Sequence, residues 1–135
     1  MTPLLFTFGW YDDDKTALLY AARGQWTWRD YHAAVRMSLF SLHGHDRIAD
    51  SVIDFRGSER DRLPGGLAAH ARTFGKRLHP GLSGRAVVIG LGAEAETALG
   101  VDGARRINGA DGEIRFVDDD DAAQAVLAAW RAGDG

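Results

Sequence analysis

The side chains best suited to chemistry are seven basic residues gathered between Arg56 and Arg85. Only Glu59 and Asp61 oppose them, so this stretch carries a net charge of +5 in a chain whose formal net charge is −3. Three of the arginines precede Pro64-Gly65-Gly66, a typical helix start, where free N–H groups and the helix dipole favour an anion. The pattern predicts an anion site made of Arg56, Arg60, Arg62, Gly65, Gly66 and His70.

Two interpretations of this segment stay open. The anion could be the phosphate or carboxylate of a small molecule, a lipid headgroup or an acidic partner, because open α/β sheets bind ligands at the carboxyl ends of their strands. In the other interpretation the arginines pair with neighbouring carboxylates on a solvated loop. A protein partner would contact the same region, and we expect Leu63, Leu67, Arg72 and Trp26 to form that surface.

The tryptophans divide into two groups. Trp28 and Trp130 fall on apolar helical stripes, which predicts that they pack in the core. Trp26 follows Gly24-Gln25 outside any stripe, and we expect it to be the exposed one.

Other patterns carry less chemistry. Gly90-x-Gly92-x-x-Ala95 formally fits a dinucleotide-binding turn, but Glu94 would repel a pyrophosphate, so we interpret the glycines as a strand-to-helix turn and expect no cofactor. His43 and His45 have no third ligand at a suitable spacing, and no metal site is predicted. The serines, Ser58 included, stand in no Gly-x-Ser-x-Gly elbow, so no catalytic residue is assigned.

The elements that must position these residues follow from periodicity and turn signals. Residues 4–10 and 16–23 predict an antiparallel hairpin, and 48–55, 86–89 and 113–117 predict further strands. Thr27 with Asp30 predicts the start of a first helix that Gly44 ends. A second helix should carry the stripe Leu67, Ala71, Phe74 and Leu78; a third covers 93–99, and a fourth begins near 118.

This order, β-β-α-β-α-β-α-β-α, predicts one α/β domain over residues 1–135, with a mixed, mostly parallel sheet and flanking helices. Together with Val52-Ile53-Asp54-Phe55 before a glycine-containing helix start, it resembles the STAS superfamily, the SpoIIAA-like antagonists of anti-sigma factors. Those antagonists carry Asp-Ser-Ser-Gly-Leu at that helix start, where this chain has Leu63-Pro64-Gly65-Gly66-Leu67. Gly65 occupies the position of the phosphoacceptor serine, so the resemblance is to the divergent branch that lacks the serine.

The resemblance implies a bacterial regulatory or protein-interaction domain that is not catalytic and not switched by phosphorylation at the usual serine. The alternative function is a binding module for a small anionic ligand, such as a nucleotide, a phosphate or a SEC14-like lipid headgroup, at the arginine loop. A third is a small enzyme that uses His70 with that loop.

Composition narrows the setting. The chain has no cysteine and no apolar run long enough for a membrane span, and its first residues do not resemble a signal peptide, so we expect a cytoplasmic protein. The negative net charge argues against general binding to nucleic acid. The opening hairpin would leave a sheet edge that a second copy could cover, which makes a homodimer one expectation.

Overall fold

A computed structural model describes residues 4–59 and 63–134 of the chain. The strands are β1 (Phe6–Trp10), β2 (Ala17–Gly24), β3 (Ala49–Ser58), β4 (Leu82–Ile89), β5 (Arg106–Asn108) and β6 (Glu113–Val117). The helices are α1 (Trp28–Ser38), α2 (Leu67–Ala71), α3 (Ala93–Ala98) and α4 (Asp120–Asp134), and a 3₁₀ helix over Leu39–Leu42 continues α1. No helix within these described ranges is both long and apolar enough to cross a membrane.

The strands form one mixed sheet in the order β1-β2-β3-β4-β6-β5. The four central strands, β2, β3, β4 and β6, are parallel to one another. The edge strands pair antiparallel, β1 with β2 and β5 with β6. The predicted α/β class and the opening antiparallel hairpin are thereby confirmed. β5 was not predicted, because it is only three residues long and Ile107 is its single apolar residue.

Local signals account for the first half of the fold. In the turn between β1 and β2, the carboxylate of Asp12 accepts hydrogen bonds from the backbone N–H groups of Thr16 and Ala17, at 2.8 and 3.1 Å. Thr27 caps α1 as predicted: its hydroxyl accepts from the N–H of Asp30, and the Asp30 carboxylate accepts from the N–H of Thr27 at 2.8 Å. Both devices satisfy backbone donors that would otherwise lack a partner.

The second helix is shorter than predicted. α2 ends at Ala71, and the chain then turns through Gly75, whose φ is +74°. A Cβ at Gly75 would stand 2.9 Å from the carbonyl oxygen of Arg85, so the turn needs a glycine to pack this closely on β4. Phe74 is buried as expected, but Leu78 lies beyond the turn with 52% of its surface exposed, so the predicted four-residue stripe is wrong at its last member.

The helices lie on two faces of the sheet. α1, α2 and α3 cover the face that carries Ile53, Phe55 and Val88, while α4 alone covers the face with Val52, Val87 and Ile89. This alternation along β3 and β4 is what a sheet buried on both sides requires. The first face holds the larger core, and on this face a space remains between α1 and α2.

Candidate functional site

A cavity of about 390 Å³ lies between α1 and α2, above the first face of the sheet; we call it the α1–α2 cavity. Its apolar walls are Tyr20, Tyr31, Val35, Ala69, Leu78 and Leu82. Its polar groups are His32, Ser51, His70, Thr73 and Lys76, and Gly75 completes the lining. Volume and composition fall in the range of sites for small organic molecules, which are mostly apolar with a few fixed polar groups.

Two side chains of the cavity are buried but carry hydroxyls without a partner. Tyr31 is 4% exposed and Ser51 is 2% exposed, yet neither hydroxyl makes a hydrogen bond within residues 4–59 and 63–134. No unpartnered polar side-chain atom among these residues is sealed from solvent, so both hydroxyls face the cavity space. Because solvent reaches both hydroxyls, each can hydrogen-bond to water or to a ligand that enters the cavity.

The neighbouring hydroxyls show how the rest of the cavity is satisfied. The hydroxyls of Tyr20 and Ser38 are hydrogen-bonded at 2.7 Å, and Ser38 also donates to the carbonyl of Val35 at 2.7 Å. The Thr73 hydroxyl donates to the carbonyl of His70 at the same distance. Tyr31 and Ser51 therefore stand out within a lining whose other hydroxyls are occupied.

The mouth of the cavity is built from stacked rings. The His70 imidazole stacks on the Trp28 indole, with centroids 4.0 Å apart and planes 9° from parallel. Trp28 is fixed in turn, because its indole N–H donates to the carbonyl of Gly65 at 2.7 Å. His32 lies across from His70 with ring centroids 5.3 Å apart. α1 and the segment that leads into α2 are joined here, and the two imidazoles are held near each other.

The mouth is basic. Burial, and then the charges of His70 and Arg36, lower the pKa of His32, since each of these disfavours a proton on its ring. Burial, followed by the nearby Tyr20, raises the pKa of Tyr31, so its hydroxyl stays protonated and can donate. Among the described residues that line the cavity there is no carboxylate.

The structure separates Arg56 from His70, two described residues of the predicted anion site. Arg56 lies within β3 and not, as was expected, in the loop after it, and its guanidinium pairs with Asp54 at 2.9 Å and with Asp120 at 3.0 Å. These two carboxylates raise the pKa of Arg56. Asp120 begins α4, on the face of the sheet opposite α2, so Arg56 and His70 are on different sides. Among the predicted anion residues that the structure describes, only His70 lines the cavity.

The role of the remaining members in binding an anion stays a prediction. Arg60 and Arg62 lie outside the described residues. Gly66 adopts a φ of +79° to start α2, but the helix has only five residues, too few for a strong dipole. Gly65 contributes its carbonyl to Trp28, as described above.

Trp26 is buried, so the expectation that it is exposed is wrong. It is 2% exposed, lies edge-on to Phe6 with centroids 5.1 Å apart, and its indole N–H donates to the hydroxyl of Ser58 at 2.7 Å. Ser58 offers a polar partner that the local sequence around Trp26 does not reveal. Leu63 and Leu67 are half-buried against the core, whereas Arg72 is exposed, so a partner could reach Arg72 and only the edges of the two leucines.

The glycine turn after β4 has a structural role. A Cβ at Gly90 would stand 2.5 Å from Cγ of Arg56, so the arginine side chain lies over the turn. The site where a dinucleotide phosphate would need open backbone is thus covered by a side chain. His45 bonds to the carbonyl of Lys15 at 2.9 Å, and no three His, Asp or Glu side chains gather as metal ligands among the residues described.

Sequence reasoning missed four residues of the cavity. They are Tyr31 and Ser51, which carry the unpartnered hydroxyls, and the basic residues His32 and Lys76. A signal was present for Ser51, since a serine inside the apolar run 49–55 is costly to bury without a purpose. Tyr31 gave no such signal, because its spacing fits the buried stripe of α1 and its ring is indeed in the core.

Comparison with known proteins adds no family. No family model, no curated protein and no solved structure matches the chain. Membership of the SpoIIAA-like superfamily accordingly rests on the order of elements and is carried forward as a proposal.

Proposed function

We propose that the protein is a binding domain that takes up a small, largely apolar molecule in the α1–α2 cavity. The observation that carries the proposal is the pair of unpartnered hydroxyls on Tyr31 and Ser51, which are 4% and 2% exposed and face a cavity of about 390 Å³. Apolar walls supply the affinity of such a site and a few fixed polar groups set the orientation of the ligand.

The proposal differs in position from the anion site expected at residues 56–67. The arginine of that site which the structure describes is paired with two carboxylates, so it has no free charge to offer a ligand. The α1–α2 cavity has no arginine among its described lining residues. A mainly apolar ligand fits this lining better than a nucleotide or a phosphate does.

A regulatory role of the SpoIIAA-like type is the second candidate, and the position of the cavity favours it. α2 forms one wall through Ala69 and His70, and the expected partner residue Arg72 is exposed directly after the helix. A ligand under this short helix would set its position and thereby the surface that a protein partner or a second copy contacts. The regulatory output is proposed to depend on the same occupancy.

The binding proposal is tested with N-phenyl-1-naphthylamine, an uncharged dye whose fluorescence rises in apolar surroundings. The dye should bind the full chain saturably, with one site per chain. Ala69→Trp places an indole in the mouth from an exposed position of α2 and should weaken the binding at least about tenfold, equivalent to about 1.4 kcal/mol.

Ala68→Trp is the matched control. Ala68 is exposed on the same helix but does not line the cavity, so this variant should bind the dye like the unaltered protein. If the dye does not bind, or if both variants weaken it equally, the cavity is not the binding site.

A further inference from the structure

The mouth of the α1–α2 cavity is unbalanced in charge, and this is the feature that specifies a ligand. Three basic side chains line it, His32, His70 and Lys76, while its described lining has no Asp or Glu. The chain as a whole has 19 acidic and 16 basic residues, so a basic group without acids runs against its composition.

These basic groups are also unpaired. Within the described part of the chain, no hydrogen bond or ion pair engages the side chains of His32, His70 or Lys76 with a carboxylate. Arginines elsewhere behave differently: Arg56, Arg85 and Arg105 each pair with two acidic side chains. The basic groups of the mouth therefore have no acidic partner within residues 4–59 and 63–134, and an anion from outside can supply one.

We propose that the ligand is a small apolar acid: an aromatic or aliphatic monocarboxylate whose body lies between Tyr31 and Leu82 and whose carboxylate lies among His32, His70 and Lys76. This inference rests on the proposed function and names the class of its ligand.

The donors favour a carboxylate over a phosphate. Phosphate sites in proteins are typically built from arginine forks and from backbone N–H groups at a helix start. The described lining holds no arginine, and the first residues of α2 do not reach the cavity. Two imidazoles and one ammonium supply enough charge for a single carboxylate, and the Tyr31 and Ser51 hydroxyls can donate to a second polar group deeper in.

Binding of an acid should be coupled to proton uptake. The His70 and Tyr31 rings lie 5.3 and 5.4 Å from the His32 ring between centroids, Arg36 acts on His32 from the same helix, and Lys76 lines the same cavity. All of the charged groups in this set are cationic, so a proton on His32 is disfavoured until an anion arrives. A bound carboxylate favours the proton on His32, and the affinity should rise as the pH falls below the ordinary imidazole value of 6.5, from which the pKa of His32 is lowered.

The test compares two probes of the same shape, 2-naphthoate and its uncharged amide, 2-naphthamide. Titration calorimetry with the full chain at about pH 6 should show that the acid binds at least about tenfold more tightly than the amide. The preference should narrow at about pH 8, where His32, whose pKa is lowered, carries no charge.

Three variants locate the effect. His32→Gln with His70→Gln should abolish the change with pH, and Lys76→Gln should reduce the preference at both pH values. Lys76 is exposed, so this variant keeps the test decisive if the double variant fails to fold. Arg47→Gln removes a charge from an exposed residue that does not line the cavity and should leave the preference unchanged.

The outcomes separate the two proposals. If 2-naphthamide binds as tightly as 2-naphthoate, or if the dye binds and the acid does not, the inference of an acidic ligand is overturned while the proposed function stands. If the acid, the amide and the dye all fail to bind, the proposed function itself is wrong.

Discussion

Replacing Tyr31 with phenylalanine should leave the stability of the protein almost unchanged. The Tyr31 ring is buried, but its hydroxyl makes no hydrogen bond within the described residues, so the variant loses no internal bond. Removing a hydroxyl that only faces a cavity should change the free energy of unfolding by less than about 0.5 kcal/mol.

Tyr20→Phe is the comparison that gives this result its meaning. The Tyr20 and Ser38 hydroxyls are bonded at 2.7 Å in the core, and a bond of this kind contributes about 0.5–1.5 kcal/mol. Ser38 keeps its own bond to the carbonyl of Val35, so the loss should stay near 1 kcal/mol, the middle of that range. The two tyrosines lie in the same cavity wall, and each variant removes one oxygen atom.

Urea unfolding followed by circular dichroism measures both variants. The slope of the free energy against urea concentration should be the same for all three proteins, so that the midpoints report stability directly. A loss for Tyr31→Phe as large as that for Tyr20→Phe would show that the Tyr31 hydroxyl has a structural partner. The argument that it is kept for a ligand would then fail.

Two further predictions concern the fold that frames the cavity. Gly75→Ala should destabilise the protein by about 2 kcal/mol or more, because φ is +74° and the new Cβ would meet the Arg85 carbonyl. Gly100 has the same φ but open space around it, so Gly100→Ala should destabilise the protein by only about 1 kcal/mol. Urea unfolding midpoints measure both variants. For Asp12, burial raises the pKa, but the hydrogen bonds from Thr16 and Ala17 lower it by more, so the net shift is downward. The ionised Asp12 carboxylate stabilises the protein above the ordinary aspartate pKa of about 4, and this stabilisation is lost as the pH falls below that value. Between about pH 5 and pH 3, Asp12→Asn should therefore lose less stability than the unaltered protein. Equal acid sensitivity in both proteins would contradict the second prediction, and equal costs for the two glycines would contradict the first.

Local chemistry made much of the fold predictable. The capping pair Thr27 and Asp30, the acidic turn at Asp12 and the strand β6 depend on neighbours in sequence, and each was found where the pattern placed it. The end of α2 and the existence of β5 were not predicted, because both depend on contacts between residues that are distant in sequence. Gly75 ends the second helix region by packing on the β4 backbone, and β5 exists only through its pairing with β6.

The site was less predictable than the fold. His70 was identified correctly as a residue of interest, but its neighbours were taken from the sequence around it rather than from α1. Arg56 looked available to bind an anion because its partner Asp120 is distant in sequence. Trp26 looked exposed because its partner Ser58 is also distant in sequence. Charge counts along the chain do not show which charges tertiary contacts neutralise.

Occupancy of the α1–α2 cavity is tested most directly by NMR with 2-naphthol, which is soluble, aromatic and uncharged near neutral pH. The account predicts intermolecular nuclear Overhauser effects from the naphthol ring to the Tyr31 ring and to the methyl groups of Val35 and Leu82, which all line the cavity. Effects to Leu63, Leu67 and Leu91 instead would place the ligand in the neighbouring groove beside α3 and contradict the account. The absence of any effect at saturating naphthol would contradict it as well.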